Sequence, residues 1–238
     1  MLPLSSAVDD GQAIHLGPER AARRLVLLHG WGADADDLLE LGAELLPDAA
    51  LEGPDAVSLV ALRAPLPHPG GAGRQWYELM PQPKWDQLPA ARADLRRRLE
   101  ALASTVPLQR TALLGFSQGA AMALDVATGS ATDGDAGEGE AGGALPLASL
   151  IACSGYPHPG WNPATSTAKI LLTHGEQDPV VMASASEELE RRLREAGGTV
   201  QRLPFSGGHG IDPGLFPEMR AVLAAGWKQA AAREQAEA

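Results

Sequence analysis

The amino-acid sequence predicts an α/β fold in which a mostly parallel central sheet is flanked by helices. Short apolar runs alternate several times with stretches of helical periodicity, and this alternation is typical of parallel strands joined by helical crossovers. The chain of 238 residues is 45% hydrophobic and contains 27 glycines and 19 prolines, which supply a core and many turns. We expect a single domain over residues 1–238, with its core at about residues 20–230.

Six apolar runs have the length and composition of buried strands. They occupy residues 25–28, 57–61, 112–115, 147–152, 170–173 and 200–203. Turn residues and helical stretches separate them, so we expect these runs to form the central sheet.

A surface helix is predicted between the second and third of these strands, because apolar residues recur there at helical spacing. The apolar stripe consists of Leu88, Ala91, Leu95, Leu99 and Leu102. Pro89 suits the first turn of a helix, and Pro107 lies beyond its end.

Two further helices are predicted in the last third of the chain. Ser184 and Glu187 fit a capping box at the start of one helix, and Gly197 suits the left-handed residue that ends it. The other helix has its apolar face at Leu215, Met219, Val222, Leu223 and Trp227. Residues 230–238 have little to bury, and we expect the last several residues to fray.

Residues 129–144 differ from the rest because they contain no aromatic or large aliphatic side chain. We expect a flexible, acidic and glycine-rich surface insertion. The spacing of Asp133 and Asp135 resembles the start of a calcium loop. However, Glu138 stands where such a loop needs glycine and Ala144 where it needs glutamate, so we favour the solvated loop.

The composition excludes several classes of function. A net charge of -11 and a pI near 4.9 would repel a phosphate backbone, so we expect no nucleic-acid partner. Cys153 is the single cysteine, and Asp9 and Asp10 interrupt the N-terminal stretch that a secretion signal would need. No apolar run approaches the ~20 residues of a membrane span. We therefore expect a cytoplasmic protein with at most peripheral membrane contact; the sequence does not indicate its oligomeric state.

The pentapeptide Gly-Phe-Ser-Gln-Gly at residues 115–119 predicts a nucleophile elbow with Ser117 at its tip. It follows an apolar strand and precedes a plausible helix, which is the setting in which a sharp turn presents a serine hydroxyl above a sheet. On the pentapeptide alone, the alternative is a glycine-rich turn with a capping serine.

Two later residues complete a candidate catalytic triad. A serine hydroxyl needs a histidine base and a carboxylate that orients the histidine, and in this type of fold they follow in the order Ser, acid, His. Asp178 follows the strand at 170–173, and His209 follows the strand ending near residue 203. Taken singly, Asp178 also suits an Asx-type turn and His209 a polar loop. Because both loops lie beyond the carboxyl ends of parallel strands, we expect them to converge on Ser117.

Two backbone N–H groups are candidates for the oxyanion hole that such chemistry needs. One belongs to Gln118, directly after the nucleophile, and the other to Trp31 in the glycine-rich loop after the first core strand. No spacing of His, Cys or Asp resembles a metal site and no phosphate loop is present, so we expect no cofactor and no metal. We expect His29 and His174 to be buried rings bonded to nearby backbone. We expect His15, His68 and His158 to be solvated.

Four motifs together identify a family resemblance. The runs LLHGWGAD, GFSQGAAMAL, HGEQDPVV and GGHGI, in this order, resemble the phospholipase/carboxylesterase family, which includes acyl-protein thioesterases. The resemblance covers roughly residues 25–227. It implies an α/β-hydrolase fold with a minimal lid, a triad of Ser117, Asp178 and His209, and oxyanion donors at Trp31 and Gln118. Trp31 stands where eukaryotic thioesterases of the family usually have leucine, which implies a differently shaped acyl pocket.

The predicted activity is that of a serine carboxylesterase acting on a small-molecule or lipid-like ester. An acyl-thioesterase or a lysophospholipase would use the same triad, and a non-catalytic ligand-binding protein is the remaining alternative. We expect residues 73–80 to cover the site as a short lid. Trp76 and Trp161 are candidates for substrate binding, with ordinary packing under loops as the alternative for both.

Overall fold

The computed structural model describes residues 4–46, 53, 55–130 and 143–237. Within these residues, eight strands form one sheet in the order β1-β2-β4-β3-β7-β8-β9-β10, and β5 and β6 form a small second sheet. The strands are β1 Val8–Asp9, β2 Ala13–Leu16, β3 Arg23–Leu28, β4 Val57–Leu62, β5 Leu66–Pro67, β6 Arg74–Gln75, β7 Thr111–Phe116, β8 Ser149–Cys153, β9 Lys169–Gly175 and β10 Thr199–Phe205.

The six strands predicted from apolar runs are confirmed as β3, β4, β7, β8, β9 and β10. These six pair in parallel, whereas β1 and β2 add an antiparallel edge. The chain passes from β3 to β4 on one side and then returns to build β7 to β10 on the other. The order of the strands therefore reverses between β3 and β7, and such a reversal creates a crevice at the carboxyl ends of those two strands.

Five α-helices and four short 3-10 helices lie within the described residues. The α-helices are α1 Leu39–Leu45, α2 Leu88–Leu102, α3 Gln118–Thr128, α4 Ser184–Glu195 and α5 Phe216–Glu237. The 3-10 helices are Leu4–Ser6, Trp85–Gln87, Leu108–Arg110 and Pro213–Leu215. None of the described helices is both long enough and apolar enough to cross a membrane.

The helices cover both faces of the sheet. Residues of α2, α3 and α4 share one apolar cluster, and residues of α1 and α5 share the other. Within β3, Val26 and Leu28 face the first cluster while Leu25 and Leu27 face the second, because successive side chains of a strand point to opposite faces. Each face is thus closed by helices, and the carboxyl end of the sheet is left to the loops.

The predicted helix ends have different outcomes. The apolar stripe of α2 is confirmed, since Leu88, Ala91, Leu95 and Leu99 are its buried residues. The left-handed end of α4 is also confirmed, because Gly197 has φ +84. The capping box before α4 is wrong: Ser184 is already inside the helix, and Ala183 occupies the N-cap without a side-chain hydrogen bond.

The expectation that the last several residues fray is wrong up to Glu237. Helix α5 continues to Glu237, and Ala230 is buried. Glu234 pairs with Arg110, which ends the 3-10 helix before β7. This contact gives the last turns of α5 a partner that the apolar pattern alone does not reveal.

The insertion predicted at residues 129–144 falls mostly outside the described residues, as do Asp133, Asp135 and Glu138 of its calcium-like spacing. Its first two residues are described and lie against the loop after β8. The Ser130 N–H donates to the Asn162 carbonyl at 2.8 Å, and Gly129 forms a bridge with Pro163. The prediction that residues 1–238 form a single domain stays a prediction.

Candidate active site

Ser117 occupies the sharp turn between β7 and α3. Its backbone has φ 53 and ψ -116, a conformation that non-glycine residues adopt rarely and at a cost of about 1–3 kcal/mol. The turn is held because the Ser117 N–H donates to the Cys153 carbonyl at 2.9 Å and the Ser117 carbonyl accepts from the Ala121 N–H at 3.0 Å. The serine side chain is therefore fixed at the helix N-terminus, at the carboxyl end of the sheet.

Two glycines make this turn possible. A Cβ at Gly119 would lie 2.2 Å from the Leu28 carbonyl oxygen and 2.5 Å from the His29 carbonyl oxygen. A Cβ at Gly115 would lie 2.5 Å from the Gly119 carbonyl oxygen. All three distances are far below contact, so α3 reaches its position against β3 and β7 only with glycine at both ends of the elbow.

The structure brings Ser117, His209 and Asp178 into one hydrogen-bonded chain. Ser117 Oγ lies 2.9 Å from His209 Nε2, and His209 Nδ1 lies 2.7 Å from Asp178 Oδ2. With a neutral imidazole, the Nδ1–H donates to the carboxylate and leaves Nε2 to accept from the serine hydroxyl. This is the geometry in which a histidine removes the proton of a serine nucleophile.

Asp178 is fixed by contacts on both carboxylate oxygens. Oδ1 accepts from the N–H groups of Val180 and Val181 at 2.8 and 2.9 Å, while Oδ2 faces His209. The Asx-type turn is therefore present together with the histidine contact. Burial alone would raise the pKa of Asp178, but the hydrogen bond from His209 and the two backbone N–H groups outweigh it and hold that pKa below its ordinary value.

The loop that carries His209 packs closely on its neighbours. A Cβ at Gly175 would lie 2.1 Å from the Gly208 carbonyl oxygen, so the end of β9 touches the His209 loop directly. Ser154 Oγ donates to the Gly210 carbonyl at 3.3 Å, and the Phe116 ring lies 5.0 Å from the imidazole of His209. Two of these contacts hold the backbone of the loop, and the third packs against the ring itself.

The loop after β3 runs beside the nucleophile, as predicted. A Cβ at Gly30 would lie 3.5 Å from Ser117 Cβ, so the adjoining Trp31 backbone is close to the serine. Within the described part of the chain, neither the Trp31 N–H nor the Gln118 N–H donates to a protein acceptor. Two free donors beside a nucleophile are what an oxyanion hole requires.

Backbone hydrogen bonds join the loop after β3 to β6. The Gly32 N–H donates to the Arg74 carbonyl at 2.9 Å, and the Arg74 N–H donates to the Ala33 carbonyl at 2.7 Å. Asp34 accepts from Arg63 Nε at 2.8 Å. The loop therefore keeps its shape without a ligand, which is the preorganisation that transition-state stabilisation depends on.

His29 is a buried ring bonded to nearby backbone, as predicted. The Ala64 N–H donates to Nε2 at 3.1 Å, so the ring proton must be on Nδ1, which lies 2.8 Å from the Gly30 carbonyl oxygen. Burial lowers the pKa of His29 below its ordinary value, and the bond to the Gly30 carbonyl only partly opposes this. A second proton would have to sit on Nε2, directly against the Ala64 N–H.

We therefore expect His29 to make the protein less stable in mild acid. In the unfolded chain His29 takes up a proton below about pH 6.5, whereas in the folded protein the ring stays neutral to a lower pH. The contribution of neutral His29 to the free energy of unfolding is therefore fully present above about pH 6.5 and is lost as the pH falls toward the pKa of the folded protein. The slope from one such group is at most about 1.4 kcal/mol per pH unit. The free energy of unfolding, measured with urea at pH 5 to 8, should fall less steeply with decreasing pH in His29→Gln than in the wild type. Parallel curves of this free energy against pH would contradict the prediction.

The other histidines divide differently from the prediction. His174 is a buried ring with Nε2 2.8 Å from the Val181 carbonyl oxygen, as expected. His15 is partly exposed beside Asp10, and His68 is partly covered by the Trp31 ring, 4.2 Å between centroids. The expectation for His158 is wrong. Its side chain is fully buried and bonds Asp125 and Tyr77, contacts from distant segments that local sequence does not reveal.

Trp76 and Trp161 each leave only 2% of their surface exposed. Trp76 Nε1 donates to the His29 carbonyl at 2.9 Å, and Trp161 Nε1 donates to Thr128 Oγ1 at 3.2 Å. Side chains so covered offer a substrate almost no surface, and the packing alternative fits both. Trp31 is 36% exposed instead, and its indole N–H is held by Gln75 Oε1 at 2.9 Å.

Residues 73–80, predicted as a short lid, lie over the start of α3. Gln118 is fully buried; its Oε1 accepts from the Trp76 N–H at 3.0 Å and its Nε2 donates to the Tyr77 carbonyl at 2.8 Å. The sequence predicts a role for the Gln118 backbone alone; its side-chain bonds depend on a segment about 40 residues away, which local sequence does not reveal. Among the described residues, no three His, Cys, Asp or Glu side chains are grouped to hold a metal ion.

Comparisons with known proteins agree with this architecture. A sequence model described as Phospholipase/Carboxylesterase matches residues 10–225. Esterase YpfH of Escherichia coli (strain K12) is 30% identical over 206 residues, covering 82% of this chain and 79% of its own.

Solved structures give the same picture at the level of the fold. The crystal structure of esterase PE8 superposes with a TM-score of 0.72 at 28% identity, covering 88% of this chain and 96% of its own. The acyl-protein thioesterase 2 of Zea mays superposes with a TM-score of 0.67 at 23% identity, covering 91% and 99%. At that lower identity, the likeness to the maize protein is one of fold alone.

Proposed function

Since the chain belongs to the phospholipase/carboxylesterase family of α/β-hydrolases, we propose that it is a serine carboxylesterase that cleaves carboxylic esters through an acyl-enzyme on Ser117. One observation carries the proposal: the unbroken chain from Asp178 through His209 to Ser117 at 2.7 and 2.9 Å. A capping serine needs no histidine partner, and a ligand-binding scaffold needs no orienting carboxylate. The complete chain therefore favours catalysis over both alternatives.

Acylation begins when Ser117 Oγ attacks the ester carbonyl carbon. His209 Nε2 takes the hydroxyl proton as the new C–O bond forms, and the carbonyl oxygen becomes an oxyanion that the N–H groups of Trp31 and Gln118 stabilise. When this intermediate collapses, His209 returns the proton to the leaving alcohol. The acyl group then remains on Ser117 as an ester.

Deacylation repeats these steps with water. His209 Nε2 removes a proton from the water, the hydroxide adds to the acyl carbon, and the acid is released as Ser117 regains its proton. Asp178 stabilises the imidazolium in both halves. Because its pKa is held below the ordinary range, Asp178 keeps its negative charge throughout this cycle.

The proposal also includes the class of ester that the protein cleaves. Thioesters and lysophospholipids pass through the same tetrahedral intermediate, so the triad alone does not choose between them and a small ester. A Cβ at Gly30 would lie 3.5 Å from Ser117 Cβ, and Trp31 is the next residue of that loop. Its partly exposed indole is held by Gln75 Oε1, so a bulky, fixed side chain belongs to the loop beside the nucleophile. We therefore favour small esters over long-chain lipids.

The proposal is tested with p-nitrophenyl esters from acetate to palmitate, and with palmitoyl-coenzyme A and lysophosphatidylcholine as the alternatives. We expect the highest kcat/KM for short acyl chains and a single fluorophosphonate adduct mapped by mass spectrometry to the peptide containing Ser117. A maximum at palmitoyl-coenzyme A or lysophosphatidylcholine would replace the substrate assignment. No hydrolysis of any of these substrates, or an adduct on another serine, would contradict the proposed function.

A further inference from the structure

A second Asp–His–hydroxyl chain is buried near the candidate site. His158 Nδ1 lies 2.6 Å from Asp125 Oδ2, His158 Nε2 lies 2.9 Å from the Tyr77 hydroxyl, and that hydroxyl lies 2.6 Å from the hydroxyl of Tyr156. Its members come from three segments of the chain: α3, the loop after β6 and the loop after β8. The side chains of His158 and Tyr77 are fully buried, so this chain does not itself present a nucleophile to a substrate.

The direction of its hydrogen bonds is fixed from one end. Asp125 Oδ2 also accepts from Arg92 Nε at 2.8 Å, and a carboxylate in an ion pair can only accept. His158 must therefore donate from Nδ1, and with a neutral imidazole Nε2 accepts from the Tyr77 hydroxyl. Burial raises the pKa of Tyr77 above its ordinary range, so its hydroxyl keeps the proton that it donates.

The Trp76–Tyr77 dipeptide connects this chain to both candidate oxyanion donors. The Trp76 N–H and the Tyr77 carbonyl hold the two ends of the Gln118 side-chain amide, at 3.0 and 2.8 Å. Trp76 Nε1 donates to the His29 carbonyl at 2.9 Å, two residues before Trp31. One dipeptide therefore touches the residue of one donor and the loop of the other.

The hydrogen-bonded chain ends on α3, the helix that begins with Gln118. Asp125 and Gln118 both belong to α3, with Gln118 its first residue. The Tyr77 side chain is tied through His158 to Asp125, while the Tyr77 backbone is tied to Gln118, so the dipeptide is clamped to α3 at two points. Loss of the Tyr77 hydroxyl would remove one of these points and leave the dipeptide free to shift relative to the elbow.

We propose that Tyr77, His158 and Asp125 form a positioning network that holds the Gln118 and Trp31 N–H groups at the places where the oxyanion develops. This inference rests on the proposed function. None of the three side chains touches the reacting atoms; they act through the backbone of the Trp76–Tyr77 dipeptide and the indole N–H of Trp76. Because oxyanion stabilisation depends steeply on donor position, a small displacement should slow turnover without weakening the binding of the ester.

The test is Tyr77→Phe, which keeps the ring and removes only the hydroxyl. Rates are expressed per active site titrated by the burst of p-nitrophenol, so that a misfolded fraction does not count. We expect kcat to fall about 10-fold with KM within about twofold. A trifluoromethyl ketone, which forms a hemiketal oxyanion on the serine, should lose affinity by the same factor as kcat/KM.

His158→Gln and Asp125→Asn carry the test if Tyr77→Phe does not fold, and each is expected to show the same split between kcat and KM. The double variant Tyr77→Phe/His158→Gln should be no slower than the slower single variant, because both break one network. Thr128→Val is the matched control: it removes a buried hydroxyl of α3 whose hydrogen bonds, among the described residues, are with Leu124 and Trp161. Its kcat per site should stay within about twofold of the wild type.

Two results would overturn the network. One is a kcat per titrated site within twofold of the wild type in the single variants, and the other is multiplication of the two losses in the double variant. If the wild type hydrolyses esters through Ser117 and Tyr77→Phe keeps the wild-type kcat per titrated site, the network is rejected and the proposed function stands. A wild type that hydrolyses no ester would reject both.

Discussion

Replacing Ser117 with alanine is expected to lower kcat/KM for a short p-nitrophenyl ester by at least about 10⁴-fold. The change removes the Ser117 Oγ atom, which lies 2.9 Å from His209 Nε2, and with it the proposed acyl-enzyme. What remains is binding and the two backbone donors, which in serine hydrolases still accelerate the reaction about 10³–10⁴-fold over water. The loss should appear in kcat, because the substrate-binding surfaces are unchanged.

His209→Ala is expected to be nearly as slow, and Ser117→Ala/His209→Ala no slower than Ser117→Ala, since the two residues act as one unit. Ser206→Ala is the matched control. Ser206 is an exposed serine in the same loop as His209, and its side chain has no hydrogen-bond partner within the described residues. Its kcat/KM should equal that of the wild type. Ester hydrolysis that survives in Ser117→Ala would show that another group is the nucleophile.

The parts of this site that could be predicted from sequence are those whose signal lies in a short stretch of consecutive residues. The elbow is a pentapeptide between a strand and a helix, and Asp178 and His209 each follow an apolar run that ends in turn residues. Because the carboxyl ends of parallel strands meet at one edge, chain order was enough to bring the three together. The same reasoning gave the six parallel strands, each long and apolar enough to stand out.

The Tyr77–His158–Asp125 network has no such local signal. Asp125 and His158 are 33 residues apart, and Tyr77 and His158 are 81 apart. Each lies in a segment whose own pattern suggests another role: Asp125 in an apolar helix, His158 in a proline- and glycine-rich loop. A histidine beside Pro157 and Pro159 is usually solvated, and only the packing of three segments shows that this one is enclosed.

Helix α1 was missed for a related reason. It spans only seven residues, Leu39–Leu45, and Gly42 at its centre lowers its helix propensity. The structure explains the glycine, because a Cβ there would lie 2.7 Å from Leu27 Cδ1 on the underlying strand. Close packing of helix on sheet thus selected a residue that disfavours a helix when the sequence is considered alone.

Gly119→Ala is expected to lower both stability and activity, because the added methyl group would meet backbone on the sheet side of the elbow. Its Cβ would lie 2.2 Å from the Leu28 carbonyl oxygen and 2.5 Å from the His29 carbonyl oxygen. Both are backbone atoms of the sheet and of the loop that carries Trp31, so neither has a rotamer to move away. Helix α3 would have to shift from β3 by about 1 Å, and Ser117 and Gln118 would move with it.

We expect the free energy of unfolding to fall by about 3 kcal/mol and kcat/KM by at least about 100-fold, because overpacking costs stability and an ångström of displacement costs orientation. Urea denaturation and ester hydrolysis measure the two effects separately. Gly210→Ala is the matched control for stability, since no atom lies within 4 Å of its Cβ position and its φ is not left-handed. Its unfolding free energy should stay within about 0.5 kcal/mol of the wild type.

If Gly119→Ala unfolds at the wild-type urea concentration, the close approach of α3 to β3 is not what holds the elbow. If it is destabilised yet fully active per folded molecule, the positions of Ser117 and Gln118 do not depend on that contact. Only the combined loss fits an elbow whose strained serine and oxyanion donor are fixed by the packing of one helix end against one strand end.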